Sequence, residues 1–597
     1  MVIVERLTKL RELMKERNMD AYLIPTSDFH ETEYVGEYFK ARKYMSGFSG
    51  SQGNLVVMLE QAALWTDGRY FIQAENELKD TTIQLMKMGE ENVPTIVEYL
   101  HKYMPEKGCL GFDGRVMNAS FVEKIEQELS EKQVLLHYDE DLVGLIWEDR
   151  PALPNKQGFF LKEAYSGKST KEKLMDIRKE MKDVQADAHI ITSLDDIAWI
   201  LNMRGYDIEN YPVMLAYLLI EEQGAYLFID EKKLTSELND NFVANQIEVR
   251  SYHDIYEFVK TLPHQSVLLD KAVVNYAIVH NLAQDVKVID RQNPSQLMKA
   301  IKNDVEQKMN KVAHIKDGVA MCKFMYWLKQ NVGKQYMTER SASAYLLKLR
   351  QQQEHFLEPS FSTIAAYKEH AAMMHYSATS ETDVALKKEG LLLVDSGGQY
   401  LEGTTDITRT FVLGPISDEI RLHFTTALRG FIRLAQANFL YGCRGVNLDI
   451  LARGPLWDLA LDYKCGTGHG VGHLLNVHEG PNGFRWRIVP ERNDSCILEE
   501  GMTQSNEPGV YVEGSHGIRH ENEMVVRQGI KNEYGQFMYL ENITFVPFDV
   551  DGIDTKYMTQ YELEWLNNYH KEVYKVISPY LTEEEAQWLK EVTKPIA

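Results

Sequence analysis

Residue types that suit metal binding recur in short segments of the C-terminal half. The first segment, LLLVDSGGQYLEGTTDITRTFVL, carries Asp395 and Asp406. Its apolar ends predict strands and its Gly-rich middle predicts a turn, so an antiparallel pair would bring the two carboxylates together. Two buried carboxylates repel each other unless a cation compensates their charge. A divalent metal ion is the obvious cation.

Two later segments supply further ligand types. GTGHGVGHLLNVHEG contains His469, His473 and His478, and QSNEPGVYVEGSHGIRHENEMVV contains Glu507 and Glu521. Two Asp, one His and two Glu form a hard, carboxylate-rich set that suits two divalent ions bridged by carboxylates and a water. Manganese fits this set better than zinc, because zinc sites favour more nitrogen or sulfur ligands.

Each of these positions has an ordinary structural explanation when it is taken singly. Asp395 and Asp406 would suit turns beside glycine, and the histidines would suit a hydrogen-bonded core. Glu507 before Pro-Gly is typical of a solvated turn, and Arg519 could form a plain ion pair with Glu521. The ordered combination of the motifs, rather than any one of them, favours a metal centre.

The composition is that of a globular protein with several domains. The 597 residues predict three or four domains at roughly 100–200 residues each. A formal net charge of −23 argues against nucleic acid and anionic membrane surfaces as partners. No segment reads as a membrane-spanning helix, and the charged N-terminus lacks a secretory signal. Five cysteines without a CxxC pair indicate neither a disulfide framework nor a Cys-based zinc site, so we expect a cytoplasmic protein.

An internal repeat predicts two related α/β domains in the N-terminal half. Residues 6–24 and 173–191 align so that Leu7 lies over Leu174 and Met14 over Met181. In each copy, apolar residues at three- and four-residue spacing predict an amphipathic helix. A short apolar segment of strand type, AYLI or AHII, follows each helix.

Local signals place the boundaries between the domains. Pro151 and Pro154 break helices and mark the first boundary. Apolar residues at helical spacing predict a long helix near residue 306, which opens a third, larger domain. A second helix is predicted after Pro415, with Ser417 as its N-cap, and two short amphipathic helices are predicted near the C-terminus. The predicted domains are residues 1–154, 155–305, 306–540 and 541–597.

The motifs VDSGGQYLEGTTDITRT, GTGHGVGHLLNVHEGP, NEPGVY and GIRHEN resemble those of the creatinase and methionine aminopeptidase superfamily of metallopeptidases. The chain resembles in particular the long, three-domain Xaa-Pro aminopeptidases. SGFSGSQGNLVV, WTDGRYFIQA and SLDDIAWILNMRG extend this resemblance over almost the whole chain. It implies an α/β and α+β multidomain fold: two tandem creatinase-N-like α/β domains, then a pita-bread catalytic domain with a short helical C-terminal extension.

The resemblance also implies a role for each candidate ligand. Asp395 would chelate the first metal ion, and Asp406 and Glu521 would bridge the two ions. His469 and Glu507 would bind the second ion, and His469 would also contact the substrate. The two divalent ions would most readily be Mn2+, with Zn2+ or Co2+ as alternatives.

Four further residues match family positions at the substrate site. His375 of MMHY and His478 of NVHEGP would line that site, and Arg519 would neighbour the bridging glutamate. Arg69 of TDGRY would reach a substrate site in its own chain or across a dimer. A homodimer is implied by the family, with no interface visible in the sequence.

Some positions depart from the family pattern. Cys465 stands four residues before His469, where many members have a histidine. His473 and His520 occupy positions that vary, so neither is assigned a catalytic role. The segment AAYKEHAAMMHY differs from the Gly-rich version of animal members, which would alter the subsite beyond the scissile bond.

The implied reaction is hydrolysis of the bond between an N-terminal residue and a following proline. Because that bond is a tertiary amide without an N–H, a dedicated site is needed. A hydroxide bridging the two ions would attack, and Glu507 would move the proton, with His375 and His478 assisting. Two alternatives stay open: a prolidase-like dipeptidase or creatinase-type hydrolase of the same fold, and a non-catalytic pita-bread binding protein. Five intact ligands disfavour the creatinase type and the binding protein.

Overall fold

A computed structural model describes residues 2–263, 265–489 and 492–597. The chain forms two compact units. The N-terminal unit comprises Met1–Lys162 and Lys168–Ser295, and the C-terminal unit comprises Glu163–Gly167 and Gln296–Ala597. The domain boundaries that the sequence predicts within these units stay predictions.

Helices and strands alternate through the N-terminal half. Its strands are β1 (Ala21–Pro25), β2 (Asn54–Met58), β3 (Ala62–Thr66), β4 (Ile83–Lys87), β5 (Cys109–Gly111), β6 (Leu135–His137), β7 (Phe159–Phe160), β8 (Ala188–Ile191), β9 (Met203–Arg204), β10 (Tyr217–Glu221), β11 (Ala225–Phe228), β12 (Ile247–Arg250), β13 (Ser266–Leu269) and β14 (Lys287–Asp290). The helices up to residue 300 are α1 (Ile3–Glu16), α2 (Ala41–Ser46), α3 (Phe71–Leu78), α4 (Ile96–Tyr103), α5 (Ala119–Leu129), α6 (Leu142–Ile146), α7 (Glu163–Ser166), α8 (Thr170–Asp183), α9 (Leu194–Ile200), α10 (Ser236–Ala244), α11 (Ile255–Phe258), α12 (Tyr276–Asn281) and α13 (Pro294–Ala300).

The internal repeat is confirmed by the sheet topology. The first sheet has the strand order β4-β3-β2-β1-β5-β6 and the second the order β12-β11-β10-β8-β13-β14. Strand directions also correspond, since β1 and β8 each pair antiparallel on one side and parallel on the other. The aligned pair Leu7 and Leu174 and the pair Met14 and Met181 are all buried, so the two helices present the same face to their sheets.

The C-terminal unit combines small sheets with long helices. Its strands are β15 (Phe356–Pro359), β16 (Ile364–Tyr367), β17 (Leu391–Ser396), β18 (Gly398–Tyr400), β19 (Gly403–Thr404), β20 (Ile407–Val412), β21 (Asn438–Leu440), β22 (Gly468–Gly470), β23 (Glu479–Phe484), β24 (Thr503–Asn506), β25 (Gly509–Val512), β26 (His516–Arg519), β27 (Asn522–Asn532) and β28 (Gly535–Asn542). The remaining helices are α14 (Asp304–Asn331), α15 (Glu339–Arg350), α16 (Asp418–Ala435), α17 (Gly445–Trp457), α18 (Gln560–Ile577) and α19 (Glu583–Val592).

Two sheets of this unit carry the candidate site. One has the order β16-β17-β20, and the other, six-stranded, has the order β21-β28-β27-β24-β22-β23. The segment between β17 and β20 is not a simple turn, because β18 and β19 within it pair with each other, and β18 also pairs with β15, in a separate sheet. Within this segment the chain crosses close to itself at Gly397 and Thr405. Only glycine fits there, since a Cβ on Gly397 would lie 1.7 Å from the carbonyl oxygen of Thr405.

The predicted helices of this unit are confirmed. Helix α16 is capped by Ser417, whose side chain accepts a hydrogen bond from the N–H of Ile420. Helix α14 spans the predicted region, but its buried face differs from an ordinary apolar stripe. Polar residues lie buried along it, namely Glu306, Asn310, His314 and Asp317. None of the helices in the described residues is long and apolar enough to cross a membrane.

Candidate metal centre

The two aspartates of the first motif lie close to each other at two neighbouring strands, Asp395 within one and Asp406 directly before the other. Asp395 is near the end of β17, where it pairs in register with Thr408 of β20. Asp406 immediately precedes β20. Both carboxylates are buried.

The other three candidates are placed by the six-stranded sheet. His469 lies in β22, Glu507 follows β24, and Glu521 precedes β27. The hydroxyl of Ser505 accepts a hydrogen bond from the backbone N–H of His469 at 3.0 Å and donates one to Oε1 of Glu507 at 3.1 Å. A single hydroxyl therefore fixes two neighbouring candidates relative to each other.

The side chains of the two sheets converge. Ligand atoms of Asp406, His469 and Glu521 all lie within 4.8 Å of one another. Nε2 of His469 is 3.5 Å from Oδ2 of Asp406 and 3.2 Å from Oε1 of Glu507. We call Asp395, Asp406, His469, Glu507 and Glu521 together the candidate metal centre.

Arg519 and Thr408 connect two carboxylates at the rear of the centre. Nη2 of Arg519 donates to Oδ2 of Asp395 at 2.6 Å, and its Nε donates to the hydroxyl of Thr408 at 3.2 Å. That hydroxyl donates to Oε2 of Glu521 at 2.6 Å. Because Thr408 accepts from the guanidinium, its single proton is directed at the glutamate. Arg519 also donates to the hydroxyl of Tyr511 at 2.7 Å.

Burial and crowding perturb the acid–base properties of these groups. Burial, with the charge of Asp395 adding to it, raises the pKa of Asp406 to about 7. The pKa of Glu521 is raised well above its ordinary value by burial and by the charges of Asp406 and Glu507. Burial would raise the pKa of Glu507 as well, but its hydrogen bond to His469 and nearby positive charges lower it to about 2. Burial opposes protonation of His469, yet Asp406 and Glu507 raise the pKa of its ring well above the ordinary value.

The donor set fits divalent cations. Oδ1 of Asp395, Oδ1 of Asp406 and Oε1 of Glu521 are buried and accept no hydrogen bond from the described residues. Buried carboxylate oxygens are costly unless a donor or a cation satisfies them. His469 and Glu507 are partly exposed, whereas the other three members of the set are buried. Solvent and ligands can therefore reach the centre from the side of His469 and Glu507. Hard oxygen ligands with one imidazole suit Mn2+ and related ions.

The remaining predicted site residues are placed as follows. The ring of His478 lies 4.3 Å from that of His469, centroid to centroid and edge to face. His375 follows Met374, whose carbonyl oxygen accepts from Nη2 of Arg519 at 3.3 Å.

Arg69 lies in the N-terminal unit and is engaged there by two carboxylates. Its Nη1 is 3.0 Å from Oε1 of Glu33, and its Nη2 is 2.9 Å from Oδ2 of Asp67. The predicted substrate contact of Arg69 stays a prediction.

The positions that depart from the family pattern have distinct surroundings. Burial, with the charge of Glu507 adding to it, raises the pKa of the Cys465 thiol to about 11, which keeps the thiol protonated beside the centre. His473 lies 2.8 Å from Oδ1 of Asn310 and 3.0 Å from the carbonyl oxygen of Tyr165, so both ring nitrogens have partners. His520 is buried against Phe424, with its Nε2 3.2 Å from that residue's carbonyl oxygen.

Family models match the chain in sequence along nearly its whole length. The Creatinase/Prolidase N-terminal domain is matched by residues 6–142 and again, by a second model, by residues 149–306. Metallopeptidase family M24 is matched by residues 307–528, and the C-terminal region of peptidase M24 by residues 536–596. Together with the centre, these matches define a metallopeptidase.

Comparison with individual proteins narrows the class of metallopeptidase to which the chain belongs. Xaa-Pro aminopeptidase 1 of Dictyostelium discoideum is 37% identical, over 97% of this chain and 93% of its own length. The crystal structure of X-prolyl aminopeptidase from Caenorhabditis elegans, described as a cytosolic enzyme with a di-nuclear active site, has a TM-score of 0.95 at 33% identity and covers 100% of both chains. The chain belongs to the Xaa-Pro aminopeptidase family.

The predicted fold is confirmed by these comparisons: two creatinase-N-like domains, a pita-bread domain and a helical C-terminal region. Xaa-Pro dipeptidase from Bacillus anthracis has a TM-score of 0.51 at 22% identity and covers 64% of this chain, which shows a shared fold alone. The full-length matches therefore favour an aminopeptidase over the prolidase-like alternative.

Proposed function

We propose that this chain is a metal-dependent aminopeptidase that hydrolyses the bond between an N-terminal residue and a following proline. The observation that carries the proposal is the convergence of Asp406, His469 and Glu521, with Glu507 3.2 Å from His469 and with three buried carboxylate oxygens that lack donors among the described residues. The full-length similarity to enzymes named Xaa-Pro aminopeptidase supports the same activity.

The five residues of the candidate metal centre would hold two divalent ions. Asp395 would chelate one ion, His469 and Glu507 the other, and Asp406 and Glu521 would bridge them. When bound, such a pair supplies Lewis acidity and a water of lowered pKa. We propose Mn2+ as the resident ion, because the set contains four carboxylates and one imidazole.

Glu507 is the proposed proton carrier. Its lowered pKa leaves it ionised at neutral pH, and the hydroxyl of Ser505 orients one of its oxygens. It is also one of the two partly exposed members of the centre, so a substrate and a water can reach it. An oriented, ionised carboxylate at the open face can accept a proton from the attacking water and pass it to the leaving proline nitrogen.

His375, His478, Arg519 and Arg69 are proposed to line or support the substrate site, and none of them is proposed to bind the ions. The ring of His478 packs edge to face with that of His469, so a second imidazole lies beside the centre. His478 can donate a hydrogen bond to the scissile carbonyl as negative charge develops there, and His375 would hold the bound peptide. Arg519 would act by holding Asp395, and Arg69 would contribute to substrate affinity.

Cleavage of matched peptides tests the activity. Manganese-loaded protein should release arginine from Arg-Pro-Pro and should cleave Arg-Ala-Pro at least a hundredfold more slowly. A prolidase-like enzyme would instead prefer the dipeptide Ala-Pro. Loss of the Arg-Pro-Pro preference, or faster hydrolysis of Ala-Pro, would contradict the proposal.

We further propose a cytoplasmic homodimer. Exposed apolar side chains on the C-terminal unit support self-association, with Trp457 43% exposed and Trp486 45% exposed, their ring centroids 6.3 Å apart. Light scattering should give twice the chain mass, and the double substitution Trp457→Ser with Trp486→Ser should weaken that dimer. A wild-type chain that stays monomeric at micromolar concentration would contradict the homodimer.

A further inference from the structure

A buried carboxylate outside the candidate metal centre gathers three donors from one segment. Glu339 is the first residue of α15, and its side chain is fully buried. Its Oε1 accepts from the backbone N–H of Tyr367 at 2.7 Å and from Nδ1 of His370 at 2.9 Å. Its Oε2 accepts from the hydroxyl of Tyr376 at 3.1 Å. We call residues 367–376 the histidine segment, because it also contains His375.

The histidine segment runs along the candidate metal centre. It begins at the last residue of β16, which pairs with the strand that carries Asp395. Near its end, the carbonyl oxygen of Met374 accepts from Arg519, which also binds Asp395. In its middle, the carbonyl oxygen of Ala371 lies 1.8 Å from where a Cβ on Gly517 would be, so the segment lies directly on β26.

The chemistry of Glu339 explains how one side chain can hold this segment. A buried carboxylate is stable only when its oxygens are satisfied, and here three donors satisfy them. The position at the N-terminus of α15 adds a favourable interaction with the helix dipole. The hydrogen bond to Glu339 is the main cause that raises the pKa of His370, so this contact is strengthened by charge. Glu339 is therefore a fixed point to which both ends of the segment are tied.

We infer that Glu339 is a positioning residue that fixes the histidine segment and thereby places His375 against the bound peptide. This inference rests on the proposed function. The three donors leave the two oxygens of Glu339 no role as metal ligands, and the side chain acts through the segment. Loss of Glu339 should therefore weaken substrate binding while the ions stay bound.

Steady-state kinetics with counted metal test this role. For Glu339→Ala, we expect the KM for Arg-Pro-Pro to rise at least tenfold, with kcat lowered less than threefold and bound Mn2+ unchanged. Glu339→Gln keeps an acceptor for the N–H of Tyr367, so its KM should stay within about threefold of wild type. Glu369→Gln is the matched control, since it removes an exposed carboxylate of the same segment. Its KM, kcat and bound Mn2+ should match those of wild type.

Hydrogen exchange provides a readout that does not need catalysis. Amides of the histidine segment should exchange faster in Glu339→Ala, while those of β17 and β20 keep their wild-type rates. If Glu339→Ala does not fold, Tyr376→Phe removes one of the three donors to Glu339, together with the contacts of that hydroxyl to Thr382, and its KM should rise two- to fivefold.

Three results separate this inference from the proposed function. An unchanged KM with unchanged exchange rates would overturn the role of Glu339. A variant that loses both kcat and its bound metal would also overturn it. Inactive wild-type protein would instead refute the proposed function, and the exchange rates would then decide whether Glu339 holds the segment.

Discussion

Thr408 is a small residue on which two of the charged groups at the candidate metal centre depend. Its hydroxyl accepts from Arg519 and donates to Glu521, so the position of one oxygen of Glu521 is set by a side chain that binds no metal. Groups of this kind typically change metal affinity 10- to 100-fold when they are removed. Sequence reasoning did not single out Thr408 or Ser505, because an isolated hydroxyl residue carries no periodicity.

Substitution of Thr408 tests that dependence. Thr408→Val keeps the shape of the side chain but leaves a buried oxygen of Glu521 without its donor, so we expect Mn2+ affinity to fall about 10- to 100-fold. Thr408→Ser keeps the hydroxyl and should stay within threefold of wild type. Calorimetric titration of metal-stripped protein with Mn2+ measures both affinities. Equal Mn2+ affinities for Thr408→Val and wild type would contradict this dependence.

Neutralising Asp406 should stabilise the metal-free protein in a pH-dependent way. Burial raises the pKa of Asp406 to about 7, above its value in the unfolded chain. The folded state therefore binds more protons than the unfolded state between about pH 4 and 7, and metal-free stability falls as pH rises through that range. Asp406→Asn cannot ionise and should be more stable than metal-free wild type by roughly 2–4 kcal/mol at pH 8.

The sign of this effect is checked by repeating the denaturant unfolding at pH 5. There Asp406 of the wild type is already largely protonated, so the advantage of Asp406→Asn should shrink. Asp406→Asn should also lose the stabilisation that Mn2+ gives to the wild type. A larger advantage at pH 5 than at pH 8 would show that Asp406 is not held in a crowded acidic centre.

At the scale of elements, the sequence predicted strands and apolar helices well and missed polar packing. Strand periodicity predicted the antiparallel pair that brings Asp395 and Asp406 together, and the structure confirms it, although Asp406 directly precedes its strand and the Gly-rich segment is more than a turn. Helix α14 was predicted from its apolar residues, yet part of its buried face is polar. His314 lies 3.1 Å from Glu523, two residues beyond Glu521, and Asp317 binds Arg350. Apolar periodicity cannot reveal such a face, because its partners are distant in sequence.

The crossing of the chain between β17 and β20 depends on Gly397. A Cβ on this residue would meet the carbonyl oxygen of Thr405 at 1.7 Å, and Thr405 precedes Asp406. Gly397→Ala should therefore displace Asp406 and lower Mn2+ affinity at least tenfold, with a loss of stability of about 2 kcal/mol or more.

A glycine substitution elsewhere serves as the control. Gly224→Ala places its Cβ no closer than 3.5 Å to any neighbour, at the carbonyl oxygen of Gln246, so metal affinity and stability should hardly change. Denaturant unfolding and metal titration of both variants decide the matter. Wild-type metal affinity in Gly397→Ala would refute the dependence of Asp406 on this crossing.

At the scale of the whole molecule, both units contain histidines that are buried in the neutral form. Burial lowers the pKa of His30 and His189 in the N-terminal unit to about 4. It lowers the pKa of His516 to about 4, and of His520 and His570 to about 3, in the C-terminal unit. The chain, although acidic overall, should therefore lose stability on acidification in both units.

The acid sensitivity is testable at His189. Its folded pKa lies below the unfolded value of about 6.5, so the unfolded state binds more protons and stability falls as pH drops from about 6.5 towards 4. At pH 5 the wild type should have lost about 1–2 kcal/mol more, relative to pH 7, than His189→Asn has. Hydrogen exchange of the N-terminal unit at both pH values measures this, and equal losses would contradict a neutral buried ring.

The most direct test of the whole account is activity as a function of bound metal. Chelated protein is titrated with Mn2+, the ions bound per chain are counted, and hydrolysis of Arg-Pro-Pro is measured at each step. We expect negligible hydrolysis without metal, and a rate that rises until two ions are bound by Asp395, Asp406, His469, Glu507 and Glu521. Full hydrolysis by metal-free protein, or by a variant that lacks Asp406, would contradict it.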